Sequence, residues 1–161
     1  MISIQDSEQK LQESYSLVNL FNNDKIKTVE QALQDQTTPS LAKLKNSSKE
    51  KTLSLLEGFI LSIKDFKASK QEISDAQITN MARLILNEYY YLKISEIRII
   101  HDKIILESEQ TYSQNLLEKI MNNFRIYANN RMQVAKQTKR PVRVHKDIEH
   151  KIININKTLK S

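Results

Sequence analysis

Ser74-Asp75-Ala76-Gln77-Ile78-Thr79-Asn80-Met81-Ala82-Arg83-Leu84-Ile85-Leu86-Asn87-Glu88-Tyr89 decides the fold class. Ser74 and Gln77 form a capping box. The serine oxygen accepts an orphan N–H of the first turn, and the glutamine reaches back to the N–H of the cap. Ile73 before the cap and Ile78 at the fourth helical position form a hydrophobic staple. Behind this start, Met81, Ala82, Leu84, Ile85 and Leu86 lead to Tyr89. So wide an apolar arc predicts a centrally packed helix.

The same grammar extends to both sides. Downstream, Tyr89-Tyr90-Tyr91-Leu92-Lys93-Ile94 closes the helix, and Ser95 is positioned to cap the next. Ile97, Ile100 and Ile104, with Ile99, Ile105 and Leu106, make that next element apolar almost all round, the mark of a buried helix. A strand is the alternative for Ile97–Ile100, because isoleucine favours β structure. Upstream, Ser47-x-x-Glu50 is another capping box, followed by Leu53, Leu56, Ile60 and Ile63 at steps of three and four, with Phe59 and Phe66 beside them. Gly58 inside this helix implies a close helix crossing or a hinge. Thr111-x-x-Gln114 opens a long helix expected to run to about Ala135. Leu117, Met121, Phe124, Ala128 and Met132 should face inward, and Asn122, Asn123, Asn129 and Asn130 should face water.

Composition agrees with helices. The chain has 161 residues, one glycine and two prolines. Tight turns between strands need glycine for positive φ, so a chain this poor in it is read as all-α. The expected architecture is a small helical bundle, residues 47–135. An arm, residues 1–46, precedes it, and a basic tail, residues 136–161, follows. In the arm, Leu11, Tyr15 and Val18 mark a first helix, and Thr28 caps a short second one carrying Val29 and Leu33. Thr38 before Pro39 breaks the chain there. Pro141 predicts a second break. Val142 and Val144 would then lie in a short extended piece, and Asp147 would start a terminal helix bearing Ile148, Ile152, Ile155 and Leu159.

Charge is distributed unevenly. The formal net charge is +6. From Lys136 onward, Lys136, Lys139, Arg140, Arg143, Lys146, Lys151, Lys157 and Lys160 face only Asp147 and Glu149, which already gives +6. The preceding residues are neutral in sum. A neutral body with a basic end points to an anionic partner. Lys136, Lys139, Arg140, Arg143, Lys146 and Lys151 are the candidate phosphate contacts, with binding that weakens as salt rises. An acidic protein partner or a solubilising terminus fits the same run. Tyr90 and Tyr91 are candidates for stacking on bases, since consecutive helical residues diverge by about 100° and Tyr89 continues the core stripe.

Several chemistries lack their residues. A phosphate-cradling loop needs several glycines. There is no cysteine, so no thiolate metal site and no disulfide. The three histidines, His101, His145 and His150, have no metal-ligand spacing, and His101-Asp102 alone does not make a phosphohydrolase centre. No catalytic residue, cofactor or small-molecule substrate is expected. No apolar run approaches the ~20 residues of a membrane span, and no secretory signal is visible.

The stretch Ile78-Thr79-Asn80-Met81-Ala82-Arg83-Leu84-Ile85-Leu86-Asn87-Glu88-Tyr89-Tyr90-Tyr91-Leu92-Lys93-Ile94-Ser95-Glu96-Ile97-Arg98 resembles a pattern in small helical proteins of phages and mobile elements, of the replisome-organiser or helicase-loader accessory type. In that pattern a helix pair is followed by a tyrosine-containing connection and a further amphipathic helix, here Tyr112 and residues 116–132. The chain has Glu109-Gln110-Thr111-Tyr112 where the pattern has a glycine-containing connection. The resemblance implies a non-enzymatic accessory role in replication, in a bacterial cytoplasm or a virion, with nucleic acid and a protein as partners. The rival reading is a protein-interaction or structural module, a virion component or an inhibitor of a host protein, whose arm and tail order on assembly.

Overall fold

A computed structural model describes residues 25–67, 72–107 and 115–159, with side chains in the last stretch as far as Thr138. The described chain is all-α. Its helices are α1 (Val29–Gln34), α2 (Leu41–Ser47), α3 (Lys49–Phe66), α4 (Asp75–Glu88), α5 (Ile94–Leu106) and α6 (Leu116–Leu159). The expected helix over residues 4–21 and the Thr111–Gln114 box lie outside the described residues.

Local chemistry sets most helix starts. Thr28 and Gln31 form a full capping box on α1, as Ser74 and Gln77 do on α4. Ser40 caps α2 through the Lys43 N–H. The α3 cap is Ser48, not Ser47: α2 runs through Ser47, and Ser48 is the residue with extended backbone (φ −160°, ψ 107°). On α5 the start falls earlier than Ser95. Lys93 is the cap, and Glu96 reaches back to its N–H at 2.9 Å. Asn115 Oδ1 opens α6 by accepting from the Leu117 N–H at 2.8 Å.

One core joins all six helices. Phe59, Ile60 and Ile63 of α3 and Ile85 and Leu86 of α4 meet Ile97, Ile100 and Ile104 of α5, with Ile120 and Phe124 of α6 closing it. The Phe59 and Phe124 rings pack edge-on at 5.7 Å. Residues 97–100 are helical, not a strand. Gly58 lies inside an unbroken α3, and next to it Glu57 Oε1 accepts a hydrogen bond from Thr79 Oγ1 of α4 at 3.0 Å. That bond ties α3 to α4 beside the glycine. Phe66 and Leu106, counted with the core by periodicity, are exposed because each ends its helix. Met132 is also exposed, whereas Asn123, expected on the wet side, is buried. Asn123 Nδ2 donates to the Lys119 carbonyl at 2.9 Å, which gives the amide nitrogen a partner inside the helix.

Two boundaries differ from the sequence reading. Val29, Ala32, Leu41 and Leu44 are buried with Phe59 and Leu92, so residues 29–47 pack as part of the body. The Leu41 N–H donates to the Leu92 carbonyl at 2.8 Å and the Ala42 N–H to the Tyr90 carbonyl at 2.7 Å. These are orphan donors of the first turn of α2, and the tyrosine connection satisfies them. The second difference is at Pro141. It neither ends the helix nor leaves an extended piece with a separate helix from Asp147, because α6 is continuous from Leu116 to Leu159. Proline deprives the helix of one N–H donor without interrupting its span.

Candidate nucleic-acid interface

The basic residues gather on one helix. Lys136, Lys139, Arg140, Arg143, Lys146 and Lys151 all belong to α6. With about 100° per residue, the register places them within an arc of about 140°. His150 and Asp147 fall in the same arc, and Glu149 falls outside it. Nearer the body the arc begins with Arg125, Asn129 and Lys136, all exposed. Arg125 is steadied by its neighbour: Nη2 donates to Asn122 Oδ1 at 2.6 Å. On the opposite, inward side of α6, Ile120, Phe124 and Tyr127 anchor the helix to the core. The apolar residues expected on a separate terminal helix, Ile148, Ile152, Ile155 and Leu159, share a second arc beside the basic one.

The candidate tyrosines lie elsewhere. Tyr90 is 53% exposed and Tyr91 37% exposed. Their rings meet edge-on with centroids 5.7 Å apart. The Arg131 guanidinium lies over the Tyr91 ring, 5.3 Å from its centroid. Tyr89, as its place in the core stripe predicts, is buried, with its ring 5.2 Å from that of Phe124. Arg131 is about 130° round α6 from the middle of the basic arc. Tyr90 and Tyr91 therefore lie off that arc, toward the inward side of α6.

Periodicity does not reveal what holds Arg131. Glu96 is fully buried. Its Oε1 accepts from Arg131 Nε at 2.7 Å and from the Tyr127 hydroxyl at 3.2 Å, and its Oε2 accepts from the Lys93 N–H at 2.9 Å. A carboxylate so enclosed requires this set of donors. Burial first, and the Glu96 charge second, push the Tyr127 phenol well above its ordinary range. Burial likewise raises Tyr91, against the lowering effect of Arg131. Both phenols are neutral at physiological pH. The sequence carried one hint: Tyr127 and Arg131 are four residues apart and share a helix face. Their partner Glu96 is thirty-one and thirty-five residues away.

A second polar cluster locks the start of the body. Asp35 Oδ1 accepts from the Thr37 N–H at 2.8 Å and from Thr37 Oγ1 at 2.6 Å. Its Oδ2 accepts from Thr38 Oγ1 and from Ser95 Oγ, the latter at 3.2 Å. Burial alone would raise this carboxyl, but the hydroxyl and amide donors of Thr37, Thr38 and Ser95 outweigh it and hold the pKa at about 2. Lys93 Nζ donates to the carbonyls of Ala32, at 2.9 Å, and Asp35, at the end of α1. Lys93 and Ser95 thereby tie the end of α1 to the start of α5.

Ser62, His101 and Asp102 form a constellation with the composition of a hydrolase triad. Ser62 Oγ is 2.7 Å from His101 Nε2, and Asp102 Oδ1 is 3.6 Å from Nδ1. The imidazole is only 5% exposed and tilts against the Phe59 ring at 5.6 Å. Asp102 also faces Arg98 Nε at 3.6 Å. Ser62 lies within α3, where backbone N–H groups are committed to the helix and give no oxyanion site. The arrangement is that of a packed histidine hydrogen-bonded to serine. Among the described residues no group of three or more histidine and carboxylate side chains is placed to hold a metal ion. No described helix is long and apolar enough to cross a membrane.

No family model, curated protein or solved structure matches this chain.

Proposed function

We propose that this protein is a non-catalytic accessory protein that binds nucleic acid through the basic arc of α6 and a protein partner through its helical body. The observation that carries the reading is the single helix. One continuous α6 holds Lys136, Lys139, Arg140, Arg143, Lys146 and Lys151 in one arc, while its first turns are anchored in the core. Cations spaced along a helix face suit a phosphate backbone, whose neutralisation releases counterions. The resemblance over residues 78–132 makes a phage or mobile-element replication role the specific form of this proposal.

Replacing Arg140 and Arg143 by Glu tests it. Fluorescence anisotropy with labelled oligonucleotides should show at least a tenfold loss of affinity, with an unchanged thermal transition of the body. Unaltered affinity would remove the basic arc from the interface.

The apolar arc of Ile148, Ile152, Ile155 and Leu159 favours the second reading, a structural or interaction module. A stripe at these spacings is a seam for another helix. Sedimentation in low salt without nucleic acid separates the two: discrete or open-ended assembly supports the module, and a monomer that binds oligonucleotides supports the accessory protein.

A further inference from the structure

We infer that Tyr90, Tyr91 and Arg131 form a stacking shelf that selects single-stranded nucleic acid. The inference rests on the nucleic-acid reading above and names the strand form it takes. Three observations carry it. The first is two neighbouring exposed aromatic rings on a connection, where soluble proteins usually place polar residues. The second is the fixing of that connection. The Tyr90 carbonyl accepts from Ala42 N–H, the Leu92 carbonyl from Leu41 N–H, the Tyr89 carbonyl from Leu92 N–H, and the Pro39 carbonyl from Ile94 N–H. Rings on so pinned a backbone lose little freedom on binding. The third is the treatment of Arg131. A fully buried carboxylate, Glu96, takes its Nε, and the guanidinium lies over the Tyr91 ring.

The shelf offers two planar surfaces: the Tyr90 ring and the outer side of the Arg131 guanidinium. Unstacked bases lie on aromatic rings and on guanidinium planes alike, while bases inside a duplex have their faces covered. Arg131 lies eight residues before Lys139 on α6, about 12 Å along the axis and about 80° round it, a path of a few nucleotides. One strand can therefore place bases on the shelf and phosphates on the basic arc. Glu96 is a positioning residue here, acting through Arg131.

The test separates bases from phosphates. Full-length protein is titrated against labelled oligothymidylate of about twenty nucleotides, an abasic strand of equal length, and a duplex of equal length. The wild type should prefer oligothymidylate to the abasic strand by at least fivefold. Tyr90→Ala should abolish that preference and leave abasic and duplex affinities unchanged. Arg131→Lys, which keeps the charge opposite Glu96 but loses the plane, should reduce the preference by at least threefold. If Tyr90→Ala leaves the preference intact, or lowers all three affinities equally, the shelf is wrong and the basic arc stands. If the wild type binds none of the three strands, the nucleic-acid reading falls, and the shelf with it.

Discussion

Arg131 Nε donates to Glu96 Oε1 at 2.7 Å, from a partly exposed position on α6 to a carboxylate with no solvent contact on α5. The two ends of this pair are not equivalent. Removing Arg131 leaves a buried charge with one fewer donor, and removing the charge of Glu96 leaves an arginine that can turn to water. Arg131→Ala should therefore cost about 3–5 kcal/mol, the usual penalty for an uncompensated buried charge. Glu96→Gln should cost less, about 1–3 kcal/mol, because the amide still accepts from Tyr127 or the Lys93 N–H. Urea denaturation of both variants checks the order. Equal penalties would mean that Glu96 is hydrated in solution.

Leu41 is fully buried between α3 and the Leu92 connection, although its segment has little amphipathic signal of its own. Leu41→Ala should cost about 2–5 kcal/mol, as for other buried leucines. A loss under about 0.5 kcal/mol, the range of surface substitutions, would show that residues 29–47 are only loosely attached.

The places where sequence and fold agree have a common cause. Capping chemistry is local, so Thr28 and Ser74 announce their helices without knowledge of the tertiary structure. The α3 stripe of Leu56, Ile60 and Ile63 is legible because it alternates with polar residues. Ser47 and Ser48 are both good caps, and only the preceding α2 decides between them. The weak pattern of α1 and α2 hides their burial, because α2 is tied by backbone bonds to the Tyr90 and Leu92 carbonyls and the end of α1 by the side chains of Lys93 and Ser95. Among the candidate site residues, the basic cluster was visible as composition. Arg131 and Glu96 were not, since a long-range pair leaves no period. Ser62 and His101, thirty-nine residues apart, were hidden for the same reason.

His101 gives the folded state a dependence on mild acid. Burial lowers its pKa below the ordinary histidine value, against the weaker raising effect of Asp102. The groups around it are Ser62, Phe59 and Asp102, with Arg98 beyond the aspartate. Below about pH 6.5 the unfolded chain takes up a proton that the folded chain resists. Stability should be full above that pH and decline as pH falls toward the lower folded value. Urea midpoints at pH 7.5 and 5.5 should differ in the wild type, and His101→Gln should shrink the difference. An undiminished difference would assign it to other groups.

Asp35 adds a separate acid limb. Its folded pKa of about 2 lies below the unfolded value of 3.8. The depressed carboxyl stabilises the fold above about pH 4, and that contribution is lost as pH falls from there toward 2. Asp35→Asn should flatten this limb and leave the histidine limb in place. The unfolding midpoint followed from pH 7.5 to 2.5 reads both.

Pro141 supplies the last prediction, because the structure places it where a helix least tolerates it. In a helix interior proline is about 3 kcal/mol less favourable than alanine. The basic arc therefore sits on a helix weakened at its midpoint, Pro141 standing between Arg140 and Arg143. Pro141→Ala adds the missing N–H and removes the ring from the carbonyl four residues earlier. The variant should gain helical ellipticity at 222 nm. If phosphates are bound by the helical form, part of the ordering cost is then met before binding, and affinity for oligonucleotides should rise severalfold. More helix with weaker binding would mean that the ligand favours a form other than the continuous helix. No change in ellipticity would mean that residues beyond Pro141 do not depend on the preceding turns for their helicity.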